Sequence, residues 1–207
     1  MSDFENLTLK QIRDFGDKVG GEERGKRFLS GELVLVERNE VNRRWIKIDD
    51  TTIAVDLESS PKLPSKDFEV ESHVGIGGAI VQKRDDGLYV DNLKVILHLS
   101  ERQQGGKYLK GYELREELTG KPVLNANVLD ALYENPYLIP ESWKKDENGK
   151  IRYIFFWGTI LRHRGGSLDV RYLYFGGRWQ WDWYWLDFDW YSNFPAAVLA
   201  GPSVPVP

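Results

Sequence analysis

The chain has 207 residues and no cysteine. That removes disulfides, thiolate metal ligands and a cysteine nucleophile together, and it leaves the redox compartment undefined. Histidine is scarce too: His73, His98 and His163 are the whole set, and none begins a His-x-x-x-His pair. A zinc site would have to gather its ligands from distant segments. No stretch reaches the roughly 18 apolar residues of a membrane span, and the opening "MSDFENLTLKQIRDFGDKVGG" lacks the apolar run of a signal peptide. The expectation is a cytoplasmic protein with no membrane partner. Charge of one sign is also in short supply. A net charge of -4 sets up no field that would draw the chain to nucleic acid.

Two familiar catalytic loops are missing. "HVGIGGAIV", residues 73–81, lacks the Gly-Lys-Ser/Thr of a phosphate loop and no clear helix follows it, so a tight strand is the reading. No Gly-x-Ser-x-Gly elbow is present. These absences predict no catalytic residue, no metal and no cofactor.

What is present describes an ordinary globular protein: 41% hydrophobic and 29% charged residues. Helical spacing predicts helices in "LTLKQIRDFGDKV" and "EERGKRFLSG", followed by strands in "ELVLVER", "RRWIKID" and "TTIAVDLE". These make an N-terminal α+β region over 1–58, with a linker at 59–67 where Ser and Pro cluster. A second region, 68–150, offers strands around an Asp86-Gly87 turn. Two helices follow, "GYELREELTG" and "NANVLDALYENP", the second capped by Asn125. The pair reads as a central helical hairpin. As a DNA-reading helix-turn-helix it is poor, because the second helix would expose Asn125, Asn127, Asp130 and Glu134 to a phosphate backbone.

The third region, 151–200, changes chemistry, and residues 201–207 form a proline-rich tail. Of the 27 aromatic residues, 16 fall between 151 and 194. "GGRWQWDWYWLDFDW" places tryptophan at 179, 181, 183 and 185, and again at 190. If Gly165-Gly166 and Gly176-Gly177 are two-residue turns, a three-stranded antiparallel meander follows. Tyr174, Tyr172, Val170 and Leu168 would then face the four tryptophans, while Arg162 would oppose Asp169 and Arg171 would oppose Asp182. Four indoles left in water would forfeit on the order of 15 kcal/mol, so the tryptophan face is expected to be buried. The opposite face would present Arg162, Arg171, Arg178, Gln180 and Tyr184 as a binding surface for an anionic ligand or an acidic protein partner. Asp182, Asp187 and Asp189 beside tryptophans suggest the paired acids of a glycosidase, but the Arg171 pairing and turn positions argue against catalysis.

"GYELREELTGKPVLNANVLDALYENPYLIPESWK", "IFFWGTILR" and "VRYLYFGGRWQWDWYWLDFDW" together resemble a family of uncharacterised proteins from uncultivated, small-genome bacteria. The likeness covers roughly residues 93–199, and "FLSGELVLVER" is similar to the opening of related chains. The resemblance implies a bacterial protein and carries over no activity or site residue. The expected fold class is α+β: N-terminal helices and strands, the helical hairpin, and the meander with its buried tryptophan face. The expected function is non-catalytic binding or protein interaction; nucleic-acid binding and carbohydrate binding or glycoside chemistry are the alternatives.

Overall fold

A computed structural model describes residues 44–201. The helices expected at 7–19 and 22–31, the strand expected at 32–38 and the tail beyond Gly201 lie outside those residues. Near its start, the described chain forms β1 (Trp45–Lys47), β2 (Thr52–Asp56) and β3 (Phe68–His73). Then come β4 (Gly78–Arg84), β5 (Gly87–Val90) and β6 (Leu93–His98). The β5–β6 turn is Asp91-Asn92, with φ of 48° and 65°, the left-handed pair that a two-residue hairpin needs and that Asp and Asn tolerate. The β4–β5 register pairs Arg84 with Gly87, so that turn is Asp85-Asp86, one residue earlier than expected.

The centre holds β7 (Leu109–Lys110), α1 (Gly111–Glu117) and α2 (Ala126–Glu134). The C-terminal part adds β8 (Tyr153–His163), β9 (Leu168–Phe175), β10 (Trp179–Trp185), β11 (Asp189–Trp190) and β12 (Ala196–Leu199). Ten strands join in one mixed, curled sheet of order β1-β2-β4-β5-β6-β12-β8-β9-β10, with β3 beside β8; β7 and β11 form a separate ribbon. Strand β8 is 11 residues long and holds two partners on one side. It meets β12 at Phe155, and it meets β3 from Thr159 onward.

This is a β-rich fold, and it corrects the α+β expectation and the helical hairpin. The two helices lie on opposite faces of the sheet. Phe155 and Trp157 pack with Leu114 of α1 and with Leu118, which caps it, whereas Ile154 and Phe156 pack with Leu129 and Leu132 of α2. Successive strand residues point to opposite faces, so each helix has its own core and the sheet separates them. Neither helix needs the other to bury its stripe. No helix among the described residues is long and apolar enough to cross a membrane.

Helix α2 is sunk into the core on its face of the sheet. Every residue from Ala126 to Leu132 is buried, including Asn127 at 0% and Asp130 at 4% exposure. The polar residues expected to face solvent are therefore internal, apart from Glu134, and the DNA-reading surface does not exist. The Asn125 side chain caps the helix, accepting from the backbone N–H of Asn127 and Val128 at 3.1 and 3.3 Å. Its amide also donates to the carbonyls of Leu57 and Val74 at 2.9 Å each. Strand β8 bulges beneath this cap, with four residues, 156–159, opposite Arg171 alone. At Gly158 a Cβ would lie 2.9 Å from the Asn125 backbone, a contact only glycine avoids.

Candidate functional site

Both glycine turns in the meander carry three residues, and this resets every face. Trp179 pairs with Phe175, Trp181 with Leu173, Trp183 with Arg171 and Trp185 with Asp169. At the other turn Arg162 pairs with Leu168 and Leu161 with Asp169. Gly166 and Gly177 take φ of 91° and 86°, and His163 closes the first loop by donating to the Ser167 carbonyl. A slip of one residue moves a side-chain row to the other face. The expected Arg162–Asp169 and Arg171–Asp182 pairs are therefore absent. Arg171 shares the indole face, and Asp182 lies across from Tyr172 on the opposite one.

The five residues expected to form one binding surface do not come together. Arg171 is 1% exposed. Its guanidinium bonds Asp130 of α2 at 2.6 Å and the Lys62 carbonyl at 3.0 Å, and it lies 4.2 Å from the Trp181 ring centroid. Arg162 donates to Glu71 at 2.6 and 2.9 Å. Arg178 is exposed in the turn and Gln180 is half-buried behind it. Tyr184 packs on Phe155, Trp190 and Phe194, and its hydroxyl donates to the Asp189 carbonyl at 3.3 Å. Burial holds the Tyr172 and Tyr184 phenols above their ordinary values, so neither ring is a ready base. The acidic trio is equally dispersed. Asp182 accepts from the Trp183 backbone N–H at 2.9 Å, Asp189 pairs with Lys110 at 2.7 Å, and Asp187 is exposed. No two of these acids converge on a shared cleft.

The tryptophan row is graded instead of uniformly buried. Trp179 and Trp181 pack against the α2 core, while Trp183 is 36% and Trp185 42% exposed. Geometry explains the gradient. The nine residues of α2 rise about 14 Å, whereas the seven of β10 extend about 23 Å. The helix is too short to roof the strand. Past it, Trp185 stacks on Phe188 with centroids 5.0 Å apart, and Trp183 meets Phe68 edge-on at 5.2 Å. Phe68 in turn contacts His163 at 5.0 Å. These rings end beside a groove of about 610 Å³ edged by Lys66, Asp67, Glu69 and Arg164.

No family model matches this chain, and no solved structure matches it at a significant level. The site must be read from its own chemistry.

Strand β10 ends the sheet order, so among the described residues no strand lies on its outer side. Gly176 donates to Arg178 and Leu186 to Leu168 across the β9–β10 ladder. Even-numbered residues therefore exchange bonds with β9, and the N–H and C=O groups of residues 179, 181, 183 and 185 point outward, although the Trp183 N–H already donates to Asp182 at 2.9 Å and the Trp185 carbonyl accepts from the Phe188 N–H at 3.2 Å. Sequence reasoning found the indoles but missed Phe68, Phe188 and the free edge. The signal for the edge was faint: a strand ending in water shows no run of flanking apolar residues.

Proposed function

We propose that this is a non-catalytic interaction protein whose recognition element is the outer half of β10, which takes an extended segment of another polypeptide as an added strand. The observation that carries this reading is the coincidence, on one edge, of outward backbone groups and the exposed rings of Trp183, Trp185 and Phe188. Main-chain bonds supply affinity in this mode, and alternate side chains supply selectivity. Arg178 at one end and Asp187 at the other have no ion-pair partner among the described residues. The fitting segment is thus apolar at its centre, with an acid beside Arg178 and a base beside Asp187.

Magnitude limits the affinity. The three rings, each about 40% open, offer roughly 240 Å², worth ~6 kcal/mol at ~25 cal/mol per Å². Association costs at least ~4 kcal/mol, so the outward groups that remain free along the edge, at about 1 kcal/mol each, bring binding to the range of tens of micromolar or weaker. A tryptophan surface also suits sugars and bases, but the net charge of -4 opposes an anionic polymer.

An array of nonapeptides with alternating aliphatic residues and oppositely charged ends, in both orientations, tests this. Binding is expected for one orientation, with at least a tenfold loss on N-methylation of alternate residues. The Trp183→Ser/Trp185→Ser variant, melting as the parent does, should lose it too. Equal binding of N-methylated peptides, or binding confined to oligosaccharides or single-stranded DNA, overturns the reading.

A further inference from the structure

A second groove, about 380 Å³ in volume, lies away from β10. Its floor is Trp157 and Ile160 of β8 with Leu118, one wall is Val74, and the other is the 119–123 connection between α1 and α2. Small-molecule sites occupy roughly 300–1,000 Å³, with mostly apolar linings and a few polar groups, and this groove matches that profile at the small end. Three features point to an occupant. Val74, 61% exposed as one wall, continues the apolar lining of Leu118, Trp157 and Ile160. Trp157, 5% exposed and with its Nε1–H buried, offers the groove an apolar ring surface.

The rim supplies the third. Arg115 and Lys121 are its charged residues, no carboxylate lines the groove, and neither cation has an ion-pair partner among the described residues. The field of Lys121 is felt nearby: burial first, and then the Lys121 ammonium, hold the His98 imidazole below its ordinary value, against an opposing pull from Glu117.

We propose that this groove binds a small aliphatic carboxylate, its head held by Arg115 and Lys121 and its single short tail laid against Trp157, Ile160 and Val74. A volume of about 380 Å³ takes one short chain and is exceeded by a two-tailed lipid. The site shares no residue with the β10 edge, so either reading can fail without the other.

Octanoate, octanol and octylamine, each below its aggregation limit, test it by titration into the full chain, followed through the assigned indole N–H signals. Octanoate is expected to shift the Trp157 signal and to bind at least tenfold more tightly than octanol, with octylamine weakest. The Arg115→Gln/Lys121→Gln variant, whose altered side chains are on the surface, should bring octanoate to the level of octanol. Val74→Asp should weaken both, and Trp183→Ser should change neither. Octanol or octylamine binding as tightly as octanoate, an unaltered double-Gln variant, or shifts confined to indoles other than Trp157 would each overturn the proposal.

Discussion

Asp169 is a carboxylate that water does not reach. It is 0% exposed, its Oδ1 has no partner, and the Ser167 hydroxyl donates to Oδ2 at 3.3 Å. Burial pushes it from an ordinary 3.8 up to about 6, while the Ser167 bond and the charge of His163 pull the other way. The sign follows from linkage. The folded chain holds this proton more tightly than the unfolded one, so the contribution is full below pH 3.8 and is lost as pH rises to about 6. A shift of that size corresponds to about 3 kcal/mol. Asp169→Asn keeps the shape without the ionisation. In urea melts its stability relative to the parent should therefore rise by roughly that amount between pH 4 and pH 7, then stay level. Carboxylates such as Glu113 and Asp86, held below their ordinary values by Arg102 and Lys94, titrate alike in both proteins and cancel. A flat difference across that range would refute the assignment. Nothing in "SLDVRY" announces this residue: an alternating strand puts an aspartate on the wet face, but both faces of β9 are covered, and Asp169 and Val170 on opposite sides are each 0% exposed.

At the scale of elements, helix α2 and strand β9 are fastened by the Asp130–Arg171 pair, 41 residues apart in sequence and 4% and 1% exposed. Removing one member strands the other charge in the core, a cost of roughly 3–5 kcal/mol, whereas replacing both with apolar side chains of similar volume is often neutral. Asp130→Ala should therefore lose about that much in denaturant melts, and Asp130→Leu/Arg171→Met should recover most of it. A single variant losing under ~1 kcal/mol would mean the pair is screened as a surface pair is. The elements themselves were largely readable. Asn125 as a cap, Gly120 beyond α1, and the glycine turns that separate β8, β9 and β10 are local signals, and local signals survive folding. Partnership was not readable. Leu114 and Leu118 form one stripe and Leu129 and Leu132 another; two stripes close in sequence suggest one hairpin. Strand β12 inserts between β6 and β8, and no nearby residue signals that placement. The polar residues of α2 misled for a related reason. Asn127 is internal because its amide donates to the carbonyls of Asp56 and Ser59 at 2.9 and 2.7 Å, partners only the tertiary fold brings.

Across the whole molecule, the eight tryptophans sort by what covers them, and the curled sheet sets that order. Trp143, Trp157 and Trp190 stand at 4%, 5% and 0% exposure inside the two cores. Trp45, Trp179 and Trp181 pack partly against the α2 core, and Trp183 and Trp185 lie beyond the end of its helix. The cost argument that placed the whole row indoors treated four indoles as one unit. It holds for the half under the helix and fails where the roof ends, because each ring is buried by its own neighbours. Iodide, which is charged and stays in water, reads this distribution directly. It should quench a minority of the emission, and Trp183→Phe/Trp185→Phe should abolish most of that quenching while leaving the blue-shifted remainder intact. If the double variant quenches like the parent, those two indoles are covered in solution, and the outer half of β10 is no surface for a partner.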